Sequence, residues 1–222
     1  MATPMSMHPA PHTRPRLRGL VHQYAFFASL PALGVLLLAS PTGRARFAGA
    51  VYGLSLVALF GVSALFHRVT WSPRARRWMA RLDHATISIL IAGSFTPFGL
   101  LVLSGTLATA SLAIVWGGAL AGILLHLFWI DVPKWLSALV YVGIGWSGIA
   151  AMPEVLSHVG LGPTVLLALG GGFYSLGAAV YALLRPDPIP AVFGYHEVYH
   201  ALVVAAAVSH YAVVALFVLP RA

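Results

Sequence analysis

Seven apolar runs, separated by charged or Pro- and Gly-rich punctuation, account for most of the chain. They fall near Leu20 to Ala39, Phe47 to His67, Leu82 to Leu103, Leu107 to Ile130, Trp135 to Met152, Pro163 to Leu184 and Tyr195 to Leu219. Each is close to the ~20 residues with which a helix crosses a hydrocarbon layer of about 30 Å. An unpaired backbone group in lipid costs several kcal/mol, so every run predicts a helix. The expected fold is all-α: a polytopic integral membrane protein, one seven-transmembrane helix bundle over residues 19–222. The preceding stretch, residues 1–18, is rich in Pro and polar residues without periodicity and predicts a disordered cytoplasmic tail. Its arginines before an apolar run resemble a signal peptide, but that run is about 20 residues long and lacks a cleavage site, as a retained first span would.

Composition agrees with the pattern. With 59% hydrophobic and only 8% charged residues, against roughly 25% charged in soluble domains, a water-soluble fold is excluded. The absence of cysteine excludes disulfides, thiolate metal sites and thiol nucleophiles. The formal charge of +8 does not point to nucleic acid, because the cations sit in short segments between apolar runs, where they set topology. With the N-terminus in the cytoplasm, that side collects Arg14, Arg16, Arg18, Arg68, Arg74, Arg76, Arg77, Arg81, Lys134 and Arg185; the outside keeps Arg44, Arg46 and Arg221. The C-terminus is then outside. A single lysine among many arginines, with abundant Ala and Gly, points to a bacterial source and a multi-pass protein of the bacterial inner membrane.

This topology gathers residues far apart in sequence. His67 ends span two, Asp83 begins span three, and His196 and His200 begin span seven, all at the cytoplasmic side. The last two are four apart on a helix, so they share a face with side-chain bases about 6 Å apart. Three neutral imidazoles plus water suit tetrahedral Zn2+ with an open position, and such an ion lowers the pKa of its water towards neutrality. Asp83 is the candidate general base or water-holding group. Ser63, one turn before His67, is the candidate to steady that water or donate to a developing oxyanion.

Plainer roles compete at each position. A histidine near an interface is commonly just hydrogen-bonded; Asp83 could pair with Arg81 or cap its helix; Ser63 could serve helix packing. The string His196-Glu197-Val198-Tyr199-His200 also satisfies the zinc-protease pattern H-E-x-x-H. No acidic residue follows Glu197 to supply the third protease ligand, so Glu197 is either unrelated to chemistry or a partner for an arginine. His84 points about 100° away from Asp83, and His210 lies some 20 Å along the helix from His196; neither completes the same site. Gly170 to Gly172 and Gly177 suit close helix packing, and aromatic residues at span ends suit an interfacial belt.

The strings Ser63-Ala64-Leu65-Phe66-His67-Arg68, Arg81-Leu82-Asp83-His84, Ala92-Gly93-Ser94-Phe95-Thr96-Pro97 and Phe193-Gly194-Tyr195-His196-Glu197-Val198-Tyr199-His200 resemble the haemolysin III family. That family is the bacterial branch of the progestin and adipoQ receptor family. The resemblance covers nearly the whole chain beyond the tail. It implies one zinc near the cytoplasmic face held by His67, His196 and His200, with Asp83 reaching it through water and Ser63 lining the site. The wider superfamily includes alkaline ceramidases, which hydrolyse lipid amides with a similar set. The leading expectation is therefore a zinc-dependent hydrolase of a lipid amide or ester, with membrane lipids as partners and no nucleic acid. A structural zinc site in a homeostasis, sensor or haemolysin-like protein is the alternative. A transporter lacks acidic residues on the outer half to continue a path, and a retinal protein lacks a lysine within a span.

Overall fold

The structure, a computed structural model, describes residues 14–222. Seven helices are long and apolar enough to cross a membrane: α1 Leu20–Leu38, α2 Gly43–Arg68, α3 Pro73–Leu101, α4 Gly105–Phe128, α5 Lys134–Val159, α6 Leu161–Leu183 and α7 Tyr195–Arg221. Among the described residues the one β feature is an isolated bridge between Ile189 and Phe193. The seven expected spans are all present.

Their ends differ from the apolar runs for a simple reason: hydropathy marks the part of a helix in lipid, whereas the helix continues into water. α3 begins at Pro73 rather than Leu82, because the Ser72 hydroxyl accepts from the Ala75 amide and Pro73 occupies the first turn, where its missing N–H is no loss. α2 begins at Gly43, its Thr42 side chain accepting from the Ala45 amide 3.1 Å away. α5 runs past Met152 to Val159, tightening into a 3-10 stretch over Ser147–Ala151, and α7 passes through a π-helical stretch over Val214–Val218.

The core is built around α2. Tyr52, Leu56, Leu59 and Phe60 pack with Leu36 of α1, Leu90 and Phe98 of α3, Val155 of α5 and Val203, Val213 and Val218 of α7. α4 stands to one side, joined through Ala92, Val115, Ala119 and Ile144. Side chains such as Leu38, Phe128 and Leu183 face outward, mostly exposed, as lipid-facing positions must. Small residues permit the closest approaches: a Cβ on Gly93 of α3 would collide with Ser55 of α2, the device by which helices associate where lipid removes the hydrophobic drive.

The last residues of the expected tail lie against the bundle. Residues 1–13 lie outside the described residues, but the chain is placed from Arg14 onward. The Arg16 and Leu17 amides donate to the Ala191 and Val192 carbonyls at 3.0 and 3.1 Å, in the loop between α6 and α7. Gly19 then turns into α1 at φ 78°, a left-handed conformation that glycine adopts freely. A Cβ there would also strike the Cβ of His67. Pairing with a partner loop, rather than composition, fixes this stretch.

Two outcomes are expected. Gly93→Ala lowers the stability of the purified protein by about 1–3 kcal/mol through overpacking, read as a lower thermal midpoint in detergent, whereas Gly117→Ala, where a Cβ meets nothing within 4 Å, does not. Because the chain has no cysteine, orientation is directly testable. A membrane-impermeant maleimide labels Arg44→Cys in intact cells, and labels Arg77→Cys only in inverted vesicles.

Candidate metal centre

Three helix ends build the site. α2 delivers Ser63 and His67 in its last two turns. The early start of α3 carries Asp83 well inside the bundle, so it is a buried side chain and no helix cap; Arg81 turns away, its Nε donating to the Leu127 carbonyl at 2.9 Å. Asp83 therefore neither caps its helix nor pairs with Arg81. α7 begins at Tyr195, where the Asp187 carboxylate accepts from the Tyr195 amide and the Glu197 carboxylate from the Gly194 amide, each at 2.8 Å. These bonds satisfy donors that a helix start leaves open, and they set the rotation that presents His196 and His200 on one face.

The imidazoles of His67, His196 and His200 converge. One ligand nitrogen from each lies within 4.8 Å of the others. His67 Nε2 and His196 Nε2 are 3.1 Å apart, close to the ~3.3 Å separating two nitrogens each about 2.05 Å from a tetrahedral zinc. His200 Nδ1 is buried with no hydrogen-bond partner. Three buried imidazoles whose nitrogens converge are the donor set zinc prefers, and they fit a metal. Asp83 Oδ2 stands 3.7 Å from His67 Nε2, outside hydrogen-bond distance and suited to reach the centre through water. Ser63 is buried, with a polar contact to Asp83.

Glu197 has another task. Fully buried, it sends one oxygen to the Gly194 amide and the other to Arg18 Nε at 2.6 Å. The H-E-x-x-H match thus places its Glu in an ion pair with the N-terminal segment, away from the three nitrogens. His84 and His126 form a separate group: their rings stack at 4.7 Å, with the Tyr141 hydroxyl 3.3 Å from His84 Nδ1 and 3.2 Å from His126 Nε2. His210 bonds the Leu167 carbonyl through Nε2. Lys134, at the start of α5, donates to the Tyr195 hydroxyl at 2.8 Å.

One residue escaped the sequence reasoning. His22 of α1 is 2% exposed, sits 2.9 Å by Nδ1 from Ser63 Oγ and stacks on His200 with centroids 3.7 Å apart. Its position near the arginine-rich end of the first span was the available signal, by the same depth argument that grouped the other three.

A cavity of about 310 Å³ leads away from this site through the bundle. Its polar end is lined by His22, Ser63, Asp83 and His200, its length by Leu59, Leu90, Phe98, Val155 and Leu167. It reaches His210, about 15 Å along α7 from His200 at 1.5 Å per residue.

Seven spanning helices around an apolar cavity, with three imidazoles clustered together and one of them, His200, lining its polar end, define a heptahelical membrane protein with a candidate metal centre. The chain belongs to the family described as Haemolysin-III related, which matches residues 11–211. It is 33% identical to Hemolysin-3 of Bacillus cereus over 207 residues, 91% of each chain. It is also 33% identical to the Hemolysin-3 homolog of Bacillus subtilis (strain 168), over 83% of this chain and 84% of that one. Monocyte to macrophage differentiation factor of Homo sapiens is 29% identical over 72% of this chain and 66% of its own.

The ion pair under the site yields a prediction. Arg18→Ala leaves the Glu197 carboxylate buried without its cation, which costs about 3–5 kcal/mol, whereas Arg16→Ala, whose side chain is exposed, changes stability by less than about 0.5 kcal/mol. Chemical or thermal unfolding in detergent measures the difference.

Proposed function

We propose that this chain is a zinc-dependent hydrolase of a lipid amide or ester in the bacterial cell membrane. The observation that carries the reading is an otherwise apolar cavity whose polar end is lined by Asp83, Ser63 and His200, the last of these converging with His67 and His196. Membrane lipids are the natural occupants of such a space, and an acyl chain of about 15 Å fits between the levels of His200 and His210.

His67, His196 and His200 would hold the ion. Zinc bound there supplies a Lewis acid and a water acidified into the neutral range. The rest falls to the chain. The cavity wall holds the acyl tail and excludes bulk water, leaving the scissile carbonyl beside Asp83. Water adds its oxygen to the carbonyl carbon, the C–N or C–O bond breaks, and Asp83 carries a proton from the water to the leaving nitrogen or oxygen. Ser63 keeps the Asp83 carboxylate in register with that carbonyl.

Elemental analysis and lipid turnover test this together. Protein purified without chelators is expected to carry one zinc per chain, lost in His67→Ala, His196→Ala and His200→Ala. Asp83→Asn keeps the zinc but slows fatty-acid release from a panel of amide- and ester-linked lipids by at least ~100-fold. Zinc retained with no turnover on any lipid class identifies a structural site instead, and wild-type protein that binds no zinc removes both readings.

A further inference from the structure

We infer that His22 is a positioning residue of this centre: it donates from Nδ1 to Ser63, whose hydroxyl is thereby turned towards Asp83. The consequence for hydrolysis rests on the function proposed above; the order of the hydrogen bonds does not.

α1 and α6 are the least buried spans of this bundle, and of the residues of α1 only His22, Ser29 and Leu36 are buried. These recur every seven residues, one narrow stripe facing α2 and α7. Ser29 answers its own burial by bonding the Phe26 carbonyl at 2.7 Å, and Leu36 needs no partner. An imidazole on such a stripe is costly unless it is hydrogen-bonded, and polar side chains inside spans mark function by default. Gly19 sets the depth: its backbone packs against His67, which places His22, one turn later, level with the cluster.

The surroundings select one tautomer. His22 Nδ1 lies 2.9 Å from Ser63 Oγ, while its Nε2 is enclosed and makes no well-formed hydrogen bond, its polar neighbour being the His200 backbone. If Nε2 carried the proton, that N–H would have only the poor contact with the His200 backbone, and the one hydrogen of Ser63 would have to serve Nδ1 instead of the Asp83 carboxylate, which only accepts. The proton therefore sits on Nδ1 and is donated to Ser63 Oγ. Ser63 has one hydrogen of its own, and the acceptor left to it is Asp83, with which it makes a polar contact. The order is His22 N–H to Ser63 O–H to the Asp83 carboxylate. The face of the His22 ring lies flat on His200, 8° from parallel, which leaves the edge of His200 free to turn towards His67 and His196. Outer partners of this kind typically tune metal affinity 10- to 100-fold.

Two measurements on the full chain in lipid nanodiscs decide it. In metal-free protein labelled with 15N-histidine, the His22 ring, identified by its loss in His22→Phe, is expected as the Nδ1–H tautomer and to leave that form in Ser63→Ala. An Nε2–H ring in the wild type overturns the inference. In zinc competition titrations, His22→Phe, which keeps a ring against His200, and Ser63→Ala each weaken binding about 10-fold, and the double variant is no worse than either alone. Losses that multiply to about 100-fold, or wild-type affinity in His22→Phe, overturn it as well. A wild type that takes up no zinc removes the proposed function, and the tautomer alone then decides His22.

Discussion

The whole arrangement depends on the approach of α2 to α7 at the arginine-rich end, where His67 Nε2 and His196 Nε2 stand 3.1 Å apart. Two neutral imidazoles at that distance share at most one proton between facing nitrogens, and His200 Nδ1 close by is buried without a partner. Within a bilayer no water stands ready to answer such a nitrogen. The bundle holds this cluster because the surrounding packing is stiff. Small-residue contacts close α2 on α3, the Tyr52 to Phe60 ridge fills the centre, and a capped, ion-paired start to α7 fixes its rotation.

The same scarcity of polar groups explains how the acidic side chains near the site are divided between architecture and chemistry. Glu197 satisfies a helix start and a cation at once, and so is spent on architecture despite its place in a catalytic-looking motif. Asp83 is the reverse case. In a short helix it would have been a cap, but the arginine-rich opening turns of α3 push it inward, and it faces His67 rather than water. His84, one residue on, is turned to α4 and α5, where His126 and Tyr141 receive it.

Much of this was legible in the sequence because lipid leaves so few options. Apolar run length gave seven helices, arginine placement gave a common end, and the four-residue spacing of His196 and His200 gave a shared face; His67 joined them on depth alone. What lay hidden depended on contacts between distant segments. Nothing local in residues 14–18 announces that the Arg16 and Leu17 amides pair with Ala191 and Val192, since the partner is a loop some 170 residues away. His22 was obscured because α1 is nearly uniform in apolarity, so its narrow buried stripe leaves hardly any periodic signal. The water-side turns of α3 were invisible to hydropathy for the opposite reason: they are helical and polar.

The ligand set draws on the second span and the last, and Arg18 before the first span pairs with Glu197 in the last. During synthesis, then, the imidazole cluster cannot exist until the final segment has left the ribosome and entered the bilayer beside its earliest neighbours. Chain closure and completion of the site are one event. A truncated or half-inserted product would present lone histidines to the membrane interface but never an assembled triad.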